Sequence, residues 1–510
     1  MEEYQVKKNR KRIFTILGGI AMAAALAACG ASGNTGSANS TAGGTAGAVS
    51  GSETTSKAQE SQEIKSVNVH IPTVYELPDA KVVEEAINEI TEGKYGIHLS
   101  LNFITSGNWK DQSNLLFTGD EADVIAVYQT PLTTFVKNGQ LADLTDYHAG
   151  AGAAFKEVWT DEELKGTTVD GRLYAIPNMR NFGNTFGLTI DAEIAEEFGV
   201  RDGQKMTMAD VDQFIRAAHA AYPDRYALAP KNNCLINQWT WDGLGDQKYI
   251  GVLEDCGQDV TVKNLFETDD FVDFVTWAHK WYKDGLVMQD ILSNTQPWQQ
   301  MIRNKQAIAC INNYSVNKVA GMISTVIIDK WAVSNSYTAL CYGININTKD
   351  MDAAWKAMEI LYTDTDVAVL LNDGIEGRHY IKNENGTISY PNGMAASESG
   401  YGMAEGYWLT PYSAHTYPLD VNGPTFFGDL LAFNEATLKS KAFGFSFNTA
   451  DVVDQYTACS NVMEKYYTAL LSGAIDPEAT IAQANEELKA AGIDDVIKAK
   501  QEQLDAFLNQ

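Results

Sequence analysis

Val67-Asn68-Val69-His70-Ile71 opens the folded part of the chain, and Ile97-His98-Leu99-Ser100-Leu101-Asn102-Phe103 follows some thirty residues later. Both alternate apolar and polar side chains, the period-2 signature of a β-strand. Between them, Pro78 and Asp79 start a helix whose Val82, Val83, Ala86, Ile87 and Ile90 recur at helical spacing. A helix around residues 110–117 and an apolar strand at 123–127 come next. Strand, helix, strand, helix, strand predicts a βαβαβ unit on a mostly parallel sheet.

Working outward, Asp170-Gly171 is a hairpin signal between Thr167-Thr168-Val169 and Leu173-Tyr174-Ala175-Ile176. Thr207 caps a helix carrying Val211, Phe214, Ile215 and Ala218 on one face. Thr268 caps another, with Phe271, Phe274, Val275, Ala278 and Trp281, ending near Gly285. Apolar strands recur at 307–311 and 338–344, Asn385-Gly386 marks a second hairpin, and the chain after Thr449 is almost wholly helical in pattern. The fold class is α/β, with many helices and a late return to the first sheet.

The 510 residues carry 66 acidic and 38 basic side chains, a formal charge of −28. At about 100–200 residues per domain, this length allows two to four domains or one large two-lobed unit. So negative a surface repels phosphate backbones and anionic headgroups, which argues against a nucleic-acid partner or an electrostatic membrane surface. Lys7, Lys8, Arg10, Lys11 and Arg12 precede an uncharged Gly/Ala-rich run from Ile13 to Ala28, 16 residues long. That is short for a helical span and reads as a signal peptide, residues 1–28. It ends in Leu26-Ala27-Ala28-Cys29-Gly30, which looks like the lipobox of bacterial lipoproteins, with Cys29 as the lipidated residue. Cleavage there removes five basic and two acidic side chains and leaves −31. Residues 29–65 then read as a flexible Gly/Ser/Thr/Ala tether, too poor in apolar groups to order itself. Five further cysteines remain, an odd number, so at least one is free unless it pairs between chains. Cys310 and Cys341 sit in apolar contexts and read as buried thiols, while a Cys234–Cys256 bridge stays open.

Common catalytic signatures are missing: there is no H-E-x-x-H, no P-loop and no G-x-S-x-G, and the seven His residues show no metal spacing. Ser315-Val316-Asn317-Lys318 matches the S-x-x-K of penicillin-binding enzymes, but the partner motifs are lacking. Aromatic residues beside amides stand out instead. Trp239-Thr240-Trp241 follows Asn232, Asn233 and Asn237. Tyr128 comes directly after the strand at 123–127, Tyr314 follows Asn312-Asn313, and Trp408 lies in a Gly-rich stretch. Aromatic faces next to amides suit sugar rings, which offer apolar C–H patches and an edge of hydroxyls. Trp277, Trp281 and Trp355, on helical faces, read as core.

These features together resemble the family 1 extracellular solute-binding lipoproteins of bacterial ABC importers. The resemblance rests on the lipobox, the tether, the opening strands, Gly119-Asp120-Glu121-Ala122-Asp123-Val124-Ile125, Leu141-Ala142-Asp143-Leu144 and Asp170-Gly171-Arg172-Leu173-Tyr174-Ala175-Ile176-Pro177-Asn178. Gly374-Ile375-Glu376-Gly377-Arg378-His379-Tyr380 and Ala442-Phe443-Gly444-Phe445-Ser446-Phe447 are similar to a subgroup with a helical C-terminal region of unknown function. The resemblance implies a periplasmic-binding-protein-like fold: two α/β lobes joined by a hinge, with a helical C-terminal extension. The first lobe is expected at 66–180, the second at 181–331, a return to the first at 332–397, and a helical part packing on the second at 398–510. It further implies a non-catalytic monomer without cofactor or metal, lipid-anchored outside the membrane, passing a solute to ABC permease subunits. An oligosaccharide is the expected solute. Expected ligand contacts are Tyr128, Asn178, Trp239, Trp241, Tyr314 and Trp408, with Glu376, Arg378 and His379 bonding ligand hydroxyls or pinning the hinge. A surface glycan hydrolase and a receptor feeding a sensor are the alternatives.

Overall fold

The computed structural model describes residues 63–150, 155, 156 and 158–509. The expected signal segment, the lipidated Cys29 and the tether up to residue 62 lie outside the described residues.

Strand Lys65–Thr73 is the axis of a first sheet. Ile97–Thr105 and Val124–Tyr128 pair parallel to it on either side, Val67 opposite Leu99 and Val69 opposite Val124. Leu340–Ile344 then adds antiparallel to Val124–Tyr128, and Ala175–Pro177 closes the far edge antiparallel to Leu340–Ile344. The opening βαβαβ reading holds, and its parallel core is buried on both faces, as crossover helices require. Helix Ala80–Tyr95 ends on Gly96 at φ 68°, a left-handed C-cap that glycine adopts without strain. The Asp170-Gly171 hairpin forms, both residues at positive φ (50° and 75°), joining Thr168–Val169 to Arg172–Leu173. Thr207 caps helix Met208–Ala221 through a capping box with Asp210. Thr268 starts helix Asp269–Lys283 without a side-chain cap, because its hydroxyl donates back to the Leu265 carbonyl at 2.7 Å.

A second sheet has the order Leu438–Lys439, Ile328–Ala332, Asn184–Asp191, Ala307–Tyr314, Tyr226–Leu228. Its central strand Asn184–Asp191 is almost wholly buried and lacks alternation, so its sequence carries no period-2 signal. Gly187 sits mid-strand because a Cβ there would meet the Thr325 carbonyl oxygen at 1.6 Å.

The apolar residues divide into two large cores. One gathers residues from 67 to 182 and from 337 to 430, the other residues from 186 to 331 and from 442 to 504. The chain therefore passes between lobes three times, near 180–183, 333–337 and 436–440. The expected last boundary at 398 is too early. Tyr401, Met403, Tyr407, Leu409, Phe426 and Leu430 all belong to the first core, and the Tyr401 hydroxyl donates to the Leu371 carbonyl at 2.8 Å. This stretch is largely short 3₁₀ turns, so it buries aromatics without a helical period.

Helices Val453–Ser472, Pro477–Ala491 and Ile493–Leu508 complete the second lobe. Lys500 is fully buried and donates to Asp246 at 3.1 Å and to the carbonyls of Ile250 and Gly251 at 2.6 and 2.9 Å. Burial pulls its pKa down while Asp246 opposes that shift. All five described cysteines are free thiols, so no Cys234–Cys256 bridge forms, and burial pushes Cys234 up to about 11 and Cys310 up to about 12. Among the described residues no helix is long and apolar enough to cross a membrane.

Lys500→Ala strands Asp246 in the interior and is expected to cost about 3–5 kcal/mol in urea unfolding; a loss under 1 kcal/mol contradicts the pairing. His70, 6% exposed, has its pKa lowered to about 4, chiefly by burial, with Asp123 opposing. The unfolded chain takes up this proton near pH 6.5 and the native one only near 4, so stability is lost as pH falls through that window. Between pH 7 and 5 this amounts to roughly 2 kcal/mol. The fall in melting temperature over that range should shrink in His70→Gln.

Candidate functional site

The three passages between lobes are locked together where they run side by side. Phe182, on the first, stacks on Tyr337, on the second, with ring centroids 3.8 Å apart and planes 11° from parallel. Phe443, just beyond the third, meets Tyr337 edge-on at 4.8 Å. The Asn434 amide clamps the first passage to the helix preceding the third: its Oδ1 accepts from Phe182 N at 2.9 Å and its Nδ2 donates to the Arg180 carbonyl at 2.8 Å. Gly183 permits the close approach, since a Cβ would lie 2.4 Å from the Thr437 methyl and 2.6 Å from the Trp331 carbonyl oxygen. The buried Asp242 accepts from Ser334 N and Oγ at 2.8 and 3.0 Å and holds the second passage against the second lobe. Burial pushes its carboxyl pKa up, and these donors oppose the shift.

Beside this hinge lies a cavity of about 160 Å³ lined from both lobes and from the passages themselves. Arg180, Asn181, Asn184, Gln238, Trp331 and Asn335 contribute to its wall. Arg180 is half-buried, and the Tyr407 and Tyr128 hydroxyls are its electrostatic neighbours. Burial lowers its pKa, and the two phenols oppose the shift. Tyr128 packs edge-on against Trp408 at 6.2 Å and tilted against Trp109 at 6.4 Å. Asn178 donates to the carbonyls of Trp408 and Thr410, the latter at 3.4 Å, while its buried Oδ1 has no partner among the described residues. Tyr128, Asn178 and Trp408 thus come together on the first lobe, with Arg180 beside them. From the second lobe, the Asn317 side chain hydrogen-bonds the Tyr407 hydroxyl, and Val316 packs against the first core.

The other expected contacts go elsewhere. Trp239 and Trp241 are 6% and 0% exposed inside the second core, edge-on or tilted against Phe186, Phe274 and Phe271, so neither can stack on a ligand. Tyr314 is half-buried and its hydroxyl donates to the Thr325 carbonyl at 2.8 Å. Arg378 and the fully buried His379 both hold Asp79, at 2.9 and 3.1 Å, and His379 Nδ1 accepts from Ile375 N at 2.9 Å. Glu376 is exposed and pairs with Lys382 at 2.9 Å. This loop therefore pins the start of helix Ala80–Tyr95 within the first lobe and does not touch the hinge. Ser315 donates to Asn317 Oδ1 at 3.0 Å and Lys318 is exposed, which leaves the S-x-x-K match without a nucleophile arrangement. Arg180 was missed, although it follows the strand Ala175–Pro177 as Tyr128 ends its own, at the sheet end where open α/β sheets bind ligands. Gln238 and Trp331 had no local signal, because only the fold brings them to the cavity.

The overall architecture has counterparts among solved structures. An N-glycan transport solute binding protein (NgtS) from Streptococcus pneumoniae superposes with a TM-score of 0.75, covering 87% of this chain and 99% of that one at 19% identity. An extracellular solute-binding protein from Bifidobacterium longum subsp. infantis gives 0.60 over 88% of this chain and 99% of that one, at 15% identity. The chain has the solute-binding-protein fold. Residues 441–509 match the domain of unknown function DUF3502, so the matched region begins where the chain enters the second lobe for the last time. In sequence, a carbohydrate ABC transporter substrate-binding protein of Streptococcus pneumoniae serotype 4 is 22% identical over 519 residues, covering 99% of both chains.

The burial of Trp241 generates a clear expectation. Trp241→Ala should cost about 3–5 kcal/mol of stability, as for other large core truncations, read as a lowered urea midpoint. A variant as stable as the parent would place Trp241 outside the core.

Proposed function

We propose that the chain is a lipid-anchored, extracytoplasmic substrate-binding protein of an ABC import system that captures a carbohydrate by closure of its two lobes. The observation that carries this reading is the cavity at the hinge, walled by amides, an arginine and an indole drawn from both lobes. Donors and acceptors of this kind suit ring hydroxyls, and the half-buried Tyr128 and Trp408 next to Arg180 supply apolar faces. Support also comes from the similar proteins. The curated relative is named for carbohydrate transport, and the NgtS structure with Man1GlcNAc superposes with a TM-score of 0.69 over 88% of this chain, at 19% identity. A glycan hydrolase requires two carboxylates flanking the scissile bond; the wall residues of this cavity include none. The protein acts as a monomer, tethered through Cys29, and hands its solute to membrane permease subunits.

In mechanism, the solute bridges the lobes and so favours the closed arrangement over the open one by its differential contacts alone. The passages at the hinge absorb the rotation, while both cores stay rigid.

A thermal-shift screen of the purified protein against oligosaccharides, peptides, amino acids and polyols tests the reading. A ligand at 100 times its dissociation constant stabilises by about 2.7 kcal/mol. The expected result is a shift with one class of saccharide and recovery of that saccharide intact. Stabilisation by peptides or amino acids alone, or cleavage of the sugar, overturns the proposal. Tyr128→Ala and Trp408→Ala should each weaken saccharide binding about tenfold, the order of one lost aromatic contact, without a matching loss of stability.

A further inference from the structure

We infer that the cavity at the hinge selects an acidic saccharide, whose carboxylate is received by the Arg180 guanidinium. This rests on the carbohydrate-binding reading above and narrows its substrate class.

The argument begins with charge. In a chain with 66 acidic and 38 basic residues, a guanidinium finds a carboxylate easily. Arg172 holds Asp143, Arg216 holds Asp212 and Asp284, and Arg378 holds Asp79, all near the surface. Fully buried Lys500 holds Asp246. Among half-buried cations that depart from this, Lys231 donates to the amide oxygens of Asn312 and Asn313, Arg225 lies over the Tyr222 ring, and the one in the cavity wall is Arg180. Among the described residues it has no carboxylate partner, and its side chain donates only to the neighbouring Asn181 carbonyl at 3.3 Å. A guanidinium cannot shed its proton in a protein, so it stays charged however deep it lies. Its surroundings are neutral: phenols, amides and an indole.

The wall around it is rich in donors as well. The Trp331 indole Nε1–H is buried, belongs to the cavity lining and has no partner among the described residues. Gln238 shares the wall, as do Asn181 and Ser336, whose amide and hydroxyl donate to the Gly183 and Val333 carbonyls at 3.1 and 2.9 Å. An unpartnered indole N–H and a guanidinium without a carboxylate, in one wall, describe a seat for an acceptor that is itself charged. The planar fork of arginine matches the two oxygens of a carboxylate, which a hydroxyl-only sugar cannot offer. The acidic exterior sharpens the selection, because the net charge repels an anion while Arg180 attracts one at the cavity.

The test is titration calorimetry of the purified protein with trigalacturonate, trimannuronate and sialyllactose, each beside the same sugar with its carboxyls reduced to alcohols. At least one acidic member should bind tenfold or more tightly than its reduced form, and that margin should narrow as salt rises. In Arg180→Gln the margin should vanish while the unfolding midpoint holds or rises, and Arg180→Lys should retain part of it. Equal or tighter binding of the reduced sugars overturns the inference, as does a margin that survives in Arg180→Gln. If neutral mannose or N-acetylglucosamine oligomers bind and no acidic sugar does, the inference fails and the carbohydrate reading stands. If no saccharide binds, both fall.

Discussion

Everything in this molecule that concerns function depends on three backbone segments packed into one joint. Phe182 on Tyr337 on Phe443 is a continuous aromatic contact joining the first two passages to the segment just beyond the third, and the Asn434 amide ties the first passage to the helix preceding the third by hydrogen bonds to its backbone. Three covalent links alone would leave two lobes loosely yoked. Aromatic packing converts them into a joint with few degrees of freedom, since stacked rings slide and tilt at low cost but separate only by exposing apolar area. Gly183 belongs to the same logic, because any side chain there would push the first passage off the Trp331 carbonyl and Thr437.

The C-terminal helices serve the joint from one side. The third passage feeds directly into the segment that matches DUF3502, and that segment returns Lys500 to the interior beneath the loop at 243–251. A buried ammonium satisfied by one carboxylate and several carbonyls tolerates little displacement, since any shift leaves a charge unpaired. Through Asp242, whose carboxylate also holds Ser334, the same loop region bears on the second passage. The helices thus brace the wall of the second lobe nearest the hinge, and no site of their own is needed to account for their place.

How much of this could be read from the chain depends on how each element advertises itself. The opening strands alternate or run apolar between glycine-capped helices, so the parallel half of the first sheet was legible. The Asp170-Gly171 turn was legible because two positive φ angles demand those residues. Strand Asn184–Asp191 was not, because burial on both faces erases the period that marks a strand. The stretch from 398 to 435 was placed in the wrong lobe for a related reason: its aromatics are spaced by irregular turns, and irregular spacing says nothing about which core they fill. In the site, aromatics beside amides draw attention equally to Tyr128 and Trp408, which the fold brings together near Arg180, and to Trp239 and Trp241, which it buries in the second core. Local sequence cannot separate a tryptophan in a loop that lines a cleft from one in a loop that plugs a core.

Arg180 is marked out by its missing carboxylate partner and not by its residue type. Asking which residues are aromatic ranks the chain by chemistry that cores and sites share. Asking which charges lack a partner ranks it by a cost that folding alone has no reason to bear. In a strongly acidic protein many cations are neutralised from within, so a half-buried one left without a carboxylate in a cavity wall is informative. The surplus of carboxylates makes the surface repel anions, and the unpaired guanidinium makes one enclosed point attract them. Together they place an electrostatic contrast at the cavity beside the hinge.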